Sequence, residues 1–304
     1  MTANVLRRRV WRLWLRGRLI RRGCLLSLLP GIASSGPSLR AQLQFHSVPE
    51  TTIQARLSSY RGNDAVRKAT LKQMFTEAGC ARENLTEQPV PQTTQPNLIC
   101  TLHGTTDEII VVGAHFDHVE QGSGVVDNWS GASLLPSLYQ GLATTQPKYT
   151  YWFVGFAGEE QGEVGSKYLV KQLGANQLGK IRAMVNLDTL GLGPSEVWSS
   201  QSDPYLVSLL LRTARALSLP LTAMNVDGLG ISDEESFIRR RVCTVMVHSI
   251  TNATTHVLHS PADNLKAIRL PDYYETYRLL AAYLAVLDSS TLPADRPCPT
   301  RALE

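Results

Sequence analysis

Four short runs of apolar residues constrain this chain most: residues 109–112 (IIVV), 149–154 (YTYWFV), 181–185 (IRAMV) and 242–247 (VCTVMV). Each is too short for a helix and apolar on both faces, which suits strands of a sheet covered on both sides. A further short strand fits residues 97–102. Segments with helical spacing fall between and after the runs, at residues 130–142, 165–173, 204–217 and 272–287. The alternation predicts an α/β fold, a three-layer sandwich with a central, largely parallel mixed sheet and helices on both faces. With 43% hydrophobic and 18% charged residues, the 304-residue chain is neither disordered nor a coiled coil.

Ahead of these runs, residues 51–78 carry helix-spaced apolar positions, interrupted at Arg61-Gly62-Asn63-Asp64. Two helices are expected, with Asn63 or Asp64 capping the second and Gly79 ending it. Residues 84–95 are polar and contain proline, so they read as loop. The expected organisation is an export signal at 1–41, an N-terminal helix and loop segment at 42–96 packed on a catalytic domain at 97–288, and a tail at 289–304.

The charge is uneven. Nine arginines and no acidic residue precede Glu50, and an apolar stretch at 24–33 follows Arg22. Basic, apolar and small residues in that order mark a secretory signal, and the apolar part is too short for a stable membrane span. Without residues 1–41 the chain has 21 Lys+Arg against 26 Asp+Glu, so the formal charge of +4 becomes −5. Nothing strongly basic is then left to follow a nucleic-acid backbone. An exported chain, periplasmic or extracellular, permits disulfides. Shorter loops close more easily, which favours Cys80–Cys100 and Cys243–Cys298, with four buried thiols as the alternative.

Three strand ends carry similar chemistry. Residues 109–112 run into GAHFDH (113–118), 149–154 into GFAGEE (155–160), and 181–185 into NLD (186–188). In open α/β sheets, ligands bind beyond the carboxyl ends of strands. His115, Glu160 and Asp188 from these ends, with Asp127 just before a helix and His259 in the loop before the last helix, are the candidate metal ligands, a mixed nitrogen and oxygen set suited to zinc. With Asp127 bridging, two ions would have three protein ligands each and share a water acidified into a hydroxide nucleophile. Glu159 is the candidate general base, and Asp117 the carboxylate that orients His115.

In order along residues 97–285, the segments GAHFDH (113–118), VDNWSGA (126–132), GEEQGEVGS (158–166), NLDTLG (186–191) and LHSPADN (258–264) resemble the co-catalytic di-zinc aminopeptidases. That family includes bacterial leucyl aminopeptidases and glutaminyl cyclases. The resemblance implies a zinc exopeptidase fold and a peptide substrate. His115 and Asp188 would hold one zinc, Glu160 and His259 the other, and Asp127 would bridge them. Cobalt or manganese can occupy similar ligand sets. It also implies a cis peptide bond after Asp127. Two positions depart from the pattern: Glu234 replaces a usual His in SDEESF (232–237), which puts the substrate pocket in question, and Leu258 replaces an aromatic residue.

The leading expectation is an aminopeptidase using a metal-bridging hydroxide with Glu159 as base. A single-zinc glutaminyl cyclase-like acyltransferase, a carboxypeptidase or amidohydrolase on the same fold, and a metal-free binding module are the alternatives. Trp129 is expected in the core or in the pocket wall, and His256 at the surface. The sequence leaves the oligomeric state open.

Overall fold

The alternation of side chains along one strand organises the molecule. In β3 (Ile109–His115), Ile110, Val112 and Ala114 enter a large core on one face of the sheet, while Ile109 and Val111 enter a smaller core on the other. The computed structural model describes residues 46–228, 230–293 and 298. The expected leader at 1–41 lies outside the described residues.

Eight strands form one sheet: β1 (Leu85–Gln88), β2 (Asn97–Leu102), β3, β4 (Thr150–Phe156), β5 (Ile181–Leu187), β6 (Glu196–Val197), β7 (Thr222–Ala223) and β8 (Thr244–His248). Their order is β1-β2-β4-β3-β5-β8-β6-β7. The central strands β4, β3, β5 and β8 are parallel, while β1, β2 and the β6–β8 pair supply the antiparallel contacts. Parallel strands aligned this way bring the carboxyl ends of β3, β4 and β5 to one edge of the sheet.

The large core is built from α1 (Glu50–Leu57), α2 (Asp64–Glu77), α3 (Leu135–Leu142), α5 (Pro204–Leu217) and α7 (Leu270–Ser289). On the opposite face, α4 (Val164–Gln172) and α6 (Glu234–Ile238) contribute Leu169, Val170 and Phe237. The three expected layers are therefore present. Asn63 caps α2 by accepting the Val66 N–H at 3.1 Å, and Asp203 caps α5 through the Tyr205 and Leu206 N–H groups at 3.1 and 3.0 Å. No helix among the described residues is long and apolar enough to cross a membrane.

Two expectations change. The segment read as loop at 84–95 contains β1, which pairs antiparallel with β2 and sets Leu85 opposite Cys100. Leu85 packs on the large core, and that burial outweighs the polar character of its neighbours. The helix expected at 130–142 is divided, with a short turn at Ser130–Ala132 before α3. Cys80 is joined to Cys100 and Cys243 to Cys298, the pairing favoured by loop length.

Candidate metal centre

His115 is the last residue of β3 and is 1% exposed. Glu159 and Glu160 follow β4 on a turn in which Gly158 takes φ +72°, a conformation suited to glycine. Asp188 follows β5 directly. Asp127 comes from the β3–α3 connection, where the Asp127–Asn128 bond is cis. His259 arrives from the loop before α7 with φ 52°. All five expected ligands and the expected base thus reach one edge of the sheet.

The imidazoles and carboxylates converge. Asp127 turns one oxygen toward each imidazole: Oδ1 lies 3.2 Å from His115 Nε2 and Oδ2 lies 3.2 Å from His259 Nε2. Glu160 Oε2 lies 3.0 Å from His259 Nε2. Glu159 Oε2 and Asp188 Oδ1 each lie 3.7 Å from His115 Nε2. Two overlapping groups, His115–Asp127–Glu160 and His115–Glu159–Asp188, bring ligand atoms within 4.8 Å of one another. His115 Nε2 and Glu160 Oε1 are buried without a hydrogen-bond partner. Buried polar atoms left unpaired are costly unless something else satisfies them. An unpaired imidazole nitrogen and an unpaired carboxylate oxygen in one cluster fit a divalent cation of borderline softness, and zinc in particular.

The surrounding shell holds these groups in place. Asp263 accepts the Val125, Val126 and Asp127 N–H groups at 2.8, 2.7 and 3.1 Å. Asn128 is fully buried, donates to the Leu187 carbonyl at 2.8 Å and accepts the Gly131 N–H at 2.9 Å. A Cβ at Gly131 would run into that carbonyl and the Asn128 side chain, so glycine is required there. Ser232 donates to Asp188 Oδ2 at 2.6 Å, and Asn186 donates to Ser232 Oγ at 2.9 Å and to Glu234 Oε2 at 2.6 Å.

Asp117 meets His115 as expected, and it holds a second element as well. Its carboxylate accepts the Glu159 and Glu160 N–H groups at 3.2 and 3.1 Å. His115 Nδ1 donates to the Asp117 backbone carbonyl at 3.2 Å, with the carboxylate 3.7 Å away.

The charges oppose one another strongly. Burial alone would lower the His115 pKa, but Glu159, Asp127 and Asp188 outweigh it and hold it well above the ordinary value. His259 is raised to about 9, chiefly by its bond to Asp127. Burial disfavours the Asp127 carboxylate, yet the two imidazoles keep its pKa below the usual range. Burial, reinforced by Asp127, raises Glu160 to about 7, and burial raises Glu159 well above its normal range.

These groups form the acidic end of a cavity of about 490 Å³. Its far wall is apolar and includes Trp198, Val226, Ile231, Met246, Ile250 and Leu258. The profile of the Peptidase family M28 matches residues 97–284. The chain belongs to peptidase family M28.

Relatives of this M28 chain extend the picture. It is 30% identical over 176 residues to leupeptin-inactivating enzyme 1 of Streptomyces exfoliatus, covering 57% of this chain and 37% of that protein. The chain thus spans little more than a third of that curated relative. In fold it is similar to the Legionella pneumophila LapA aminopeptidase, with TM-score 0.67, 22% identity, and 79% and 71% of the two chains covered. It is also similar to an Acidobacteriales bacterium glutaminyl cyclase, with TM-score 0.64, 17% identity, and 86% and 99% covered.

Around the M28 motifs, several residues carry weight that sequence reasoning missed. Asp263 lies in the LHSPADN segment, four residues after His259, and that spacing is the only sequence signal for its role. Asn186 and Ser232 lie in the NLDTLG and SDEESF segments. Glu234 is 1% exposed and bonds to Asn186 behind Asp188, while Ser232, at the start of the same segment, lines the cavity. Trp129 is wholly buried in the core, and His256 is exposed and outside the cluster.

Proposed function

We propose that this chain is an exported zinc aminopeptidase that removes the first residue from peptides. One observation carries the reading: Asp127 offers a separate oxygen to each of two imidazoles at 3.2 Å. A carboxylate so placed would suit a bridge between two ions, for which His115 and Asp188 would be the further ligands of one, and Glu160 and His259 of the other. When bound, zinc supplies Lewis-acid polarisation of the scissile carbonyl and lowers the pKa of water. Glu159 takes the proton from the attacking water and returns it to the departing amine nitrogen as the C–N bond breaks. Its place 3.7 Å from His115 Nε2 at the acidic end of the cavity supports that role, and burial raises its pKa above the usual carboxylate range, which makes it a stronger base than an exposed glutamate.

The cavity supports an exopeptidase. Carboxylates at one end attract a free ammonium group, and the apolar wall accepts one side chain. Two disulfides suit an oxidising compartment, in keeping with the proposed export.

The test is metal analysis joined to Glu159→Gln. The expected result is two zinc ions per chain, retained in the variant, with kcat for aminoacyl anilides about 100- to 10,000-fold lower. Full activity in Glu159→Gln would remove the assigned base. One ion per chain together with cyclisation of amino-terminal glutamine would replace hydrolysis by acyl transfer.

A further inference from the structure

The connection that carries Asp127 is also gripped from outside the family match, which begins at residue 97. Arg67 lies on α2 and is only 1% exposed. Its Nη1 donates to the Phe116 carbonyl at 3.3 Å and to the Gly124 carbonyl at 3.1 Å, and its Nη2 donates to the Ser123 carbonyl. The guanidinium lies over the Trp129 ring, 5.7 Å from its centroid. Phe116 directly follows His115, and Ser123 and Gly124 immediately precede the turn that carries Asp127.

Burying a guanidinium with no carboxylate in direct contact is costly, and a leucine or methionine would fill the same space without that cost. The polar contacts are therefore what distinguish arginine at this position. A planar fork with several N–H donors can hold carbonyls from two segments at once, which no other side chain does as well. Its charge also faces the carboxylates of Asp64, Asp263, Asp117 and Asp127. Helices α2 and α1 add one further contact each: Asp64 to His118 Nδ1 at 3.0 Å, and the Arg56 carbonyl, which accepts the Trp129 indole N–H at 3.1 Å.

We propose that Arg67 is a positioning residue for the metal centre, setting the spacing of His115 and Asp127 by tying the carbonyls of Phe116, Ser123 and Gly124 together. The role in metal binding rests on the zinc reading above. The role in ordering the connection stands independently of it.

The experiment compares wild type, Arg67→Met and Arg67→Lys, with Leu71→Ala as a control. Leu71 is a fully buried neighbour on the same helix that makes no polar contact with the connection. Two quantities are read on the full chain: amide hydrogen exchange of residues 123–129 in the metal-free protein, and zinc affinity by competition with a chelator. Arg67→Met is expected to speed exchange of the Val125, Val126 and Asp127 amides at least about tenfold and to weaken zinc binding about 10- to 100-fold. Leu71→Ala is expected to lower global stability while leaving both quantities, corrected for that stability, at wild-type values. If Arg67→Met does not fold, Arg67→Lys decides: it keeps the charge but lacks the fork, and should still show faster exchange and about tenfold weaker zinc binding. Wild-type exchange in a folded Arg67 variant, or changes no larger than those of Leu71→Ala, would overturn the proposal. Wild-type protein that binds no zinc would instead remove the metal reading, and the exchange data would still decide the role of Arg67.

Discussion

The carboxylate of Asp117 accepts the backbone N–H of Glu160 at 3.1 Å, and its other oxygen accepts that of Glu159 at 3.2 Å. A single side chain after β3 therefore sets the path of the turn after β4, so the candidate base and a candidate ligand are aimed together. Asparagine has one acceptor oxygen and would turn an amide N–H against the second donor. Asp117→Asn is expected to fold, to bind zinc about 10- to 100-fold more weakly and to lose kcat. Titration with a chelator checks this. Unchanged affinity and kcat would detach Asp117 from the centre.

Glu234 should act through stability rather than pocket shape. Burial raises its pKa to about 8, so it carries a proton at neutral pH while Asn186 donates to it at 2.6 Å. Glu234→Ala leaves that buried N–H unpaired and is expected to cost about 1–3 kcal/mol in denaturant unfolding. Glu234→Gln keeps an acceptor of similar shape and should cost about 1 kcal/mol or less. Equal losses in the two variants would contradict the assigned bond.

The sequence was legible where local pattern and tertiary demand agree. The runs that became β3, β4, β5 and β8 are apolar on both faces because both faces are buried, and their ends announced the ligand-bearing loops. β6 and β7, two residues each, carry too little pattern to be read. β1 is polar by composition and is held by pairing with β2 and by the burial of Leu85. Arg67 lies on a helix expected from its spacing, but its role is not readable there. Its partners lie 49 to 57 residues away, at Phe116, Ser123 and Gly124, and nothing local signals them. The second role of Asp117 was hidden for a similar reason: the amides it accepts belong to another strand end.

A pH dependence follows from His248. Its Nε2 donates to the Met224 carbonyl at 2.9 Å and its Nδ1 accepts the Ile250 N–H at 3.0 Å, so a second proton has no place without breaking a bond. Burial lowers its pKa to about 4 against an ordinary 6.5. A folded pKa below the unfolded one means that the unfolded chain binds more protons on acidification. The stabilisation is complete above about pH 6.5 and is lost as pH falls toward 4, by on the order of 3 kcal/mol. Denaturant unfolding of wild type and His248→Gln between pH 4 and 7 should show a smaller acid slope in the variant. Identical slopes would contradict the neutral buried imidazole.

The apolar wall sets a preference among substrates. Moving a leucine side chain from water into that wall contributes about 1.5–3 kcal/mol, of which an alanine methyl group recovers only a part. Leucyl anilide should therefore exceed alanyl anilide about 10-fold or more in kcat/KM, and glutamyl anilide should be poorest, because Glu159, Glu160 and Glu163 also line the cavity. Glutamyl anilide turned over as fast as leucyl would refute this polarity.

The central claim is zinc-dependent hydrolysis directed by a free amino terminus. The most direct measurement follows leucyl-p-nitroanilide and its N-acetyl derivative with protein stripped of metal and then reloaded with zinc. The expected result is no turnover without metal, restoration by zinc for the free amine, and little or none for the acetylated substrate. Equal cleavage of both substrates, or full activity after metal removal, would contradict it.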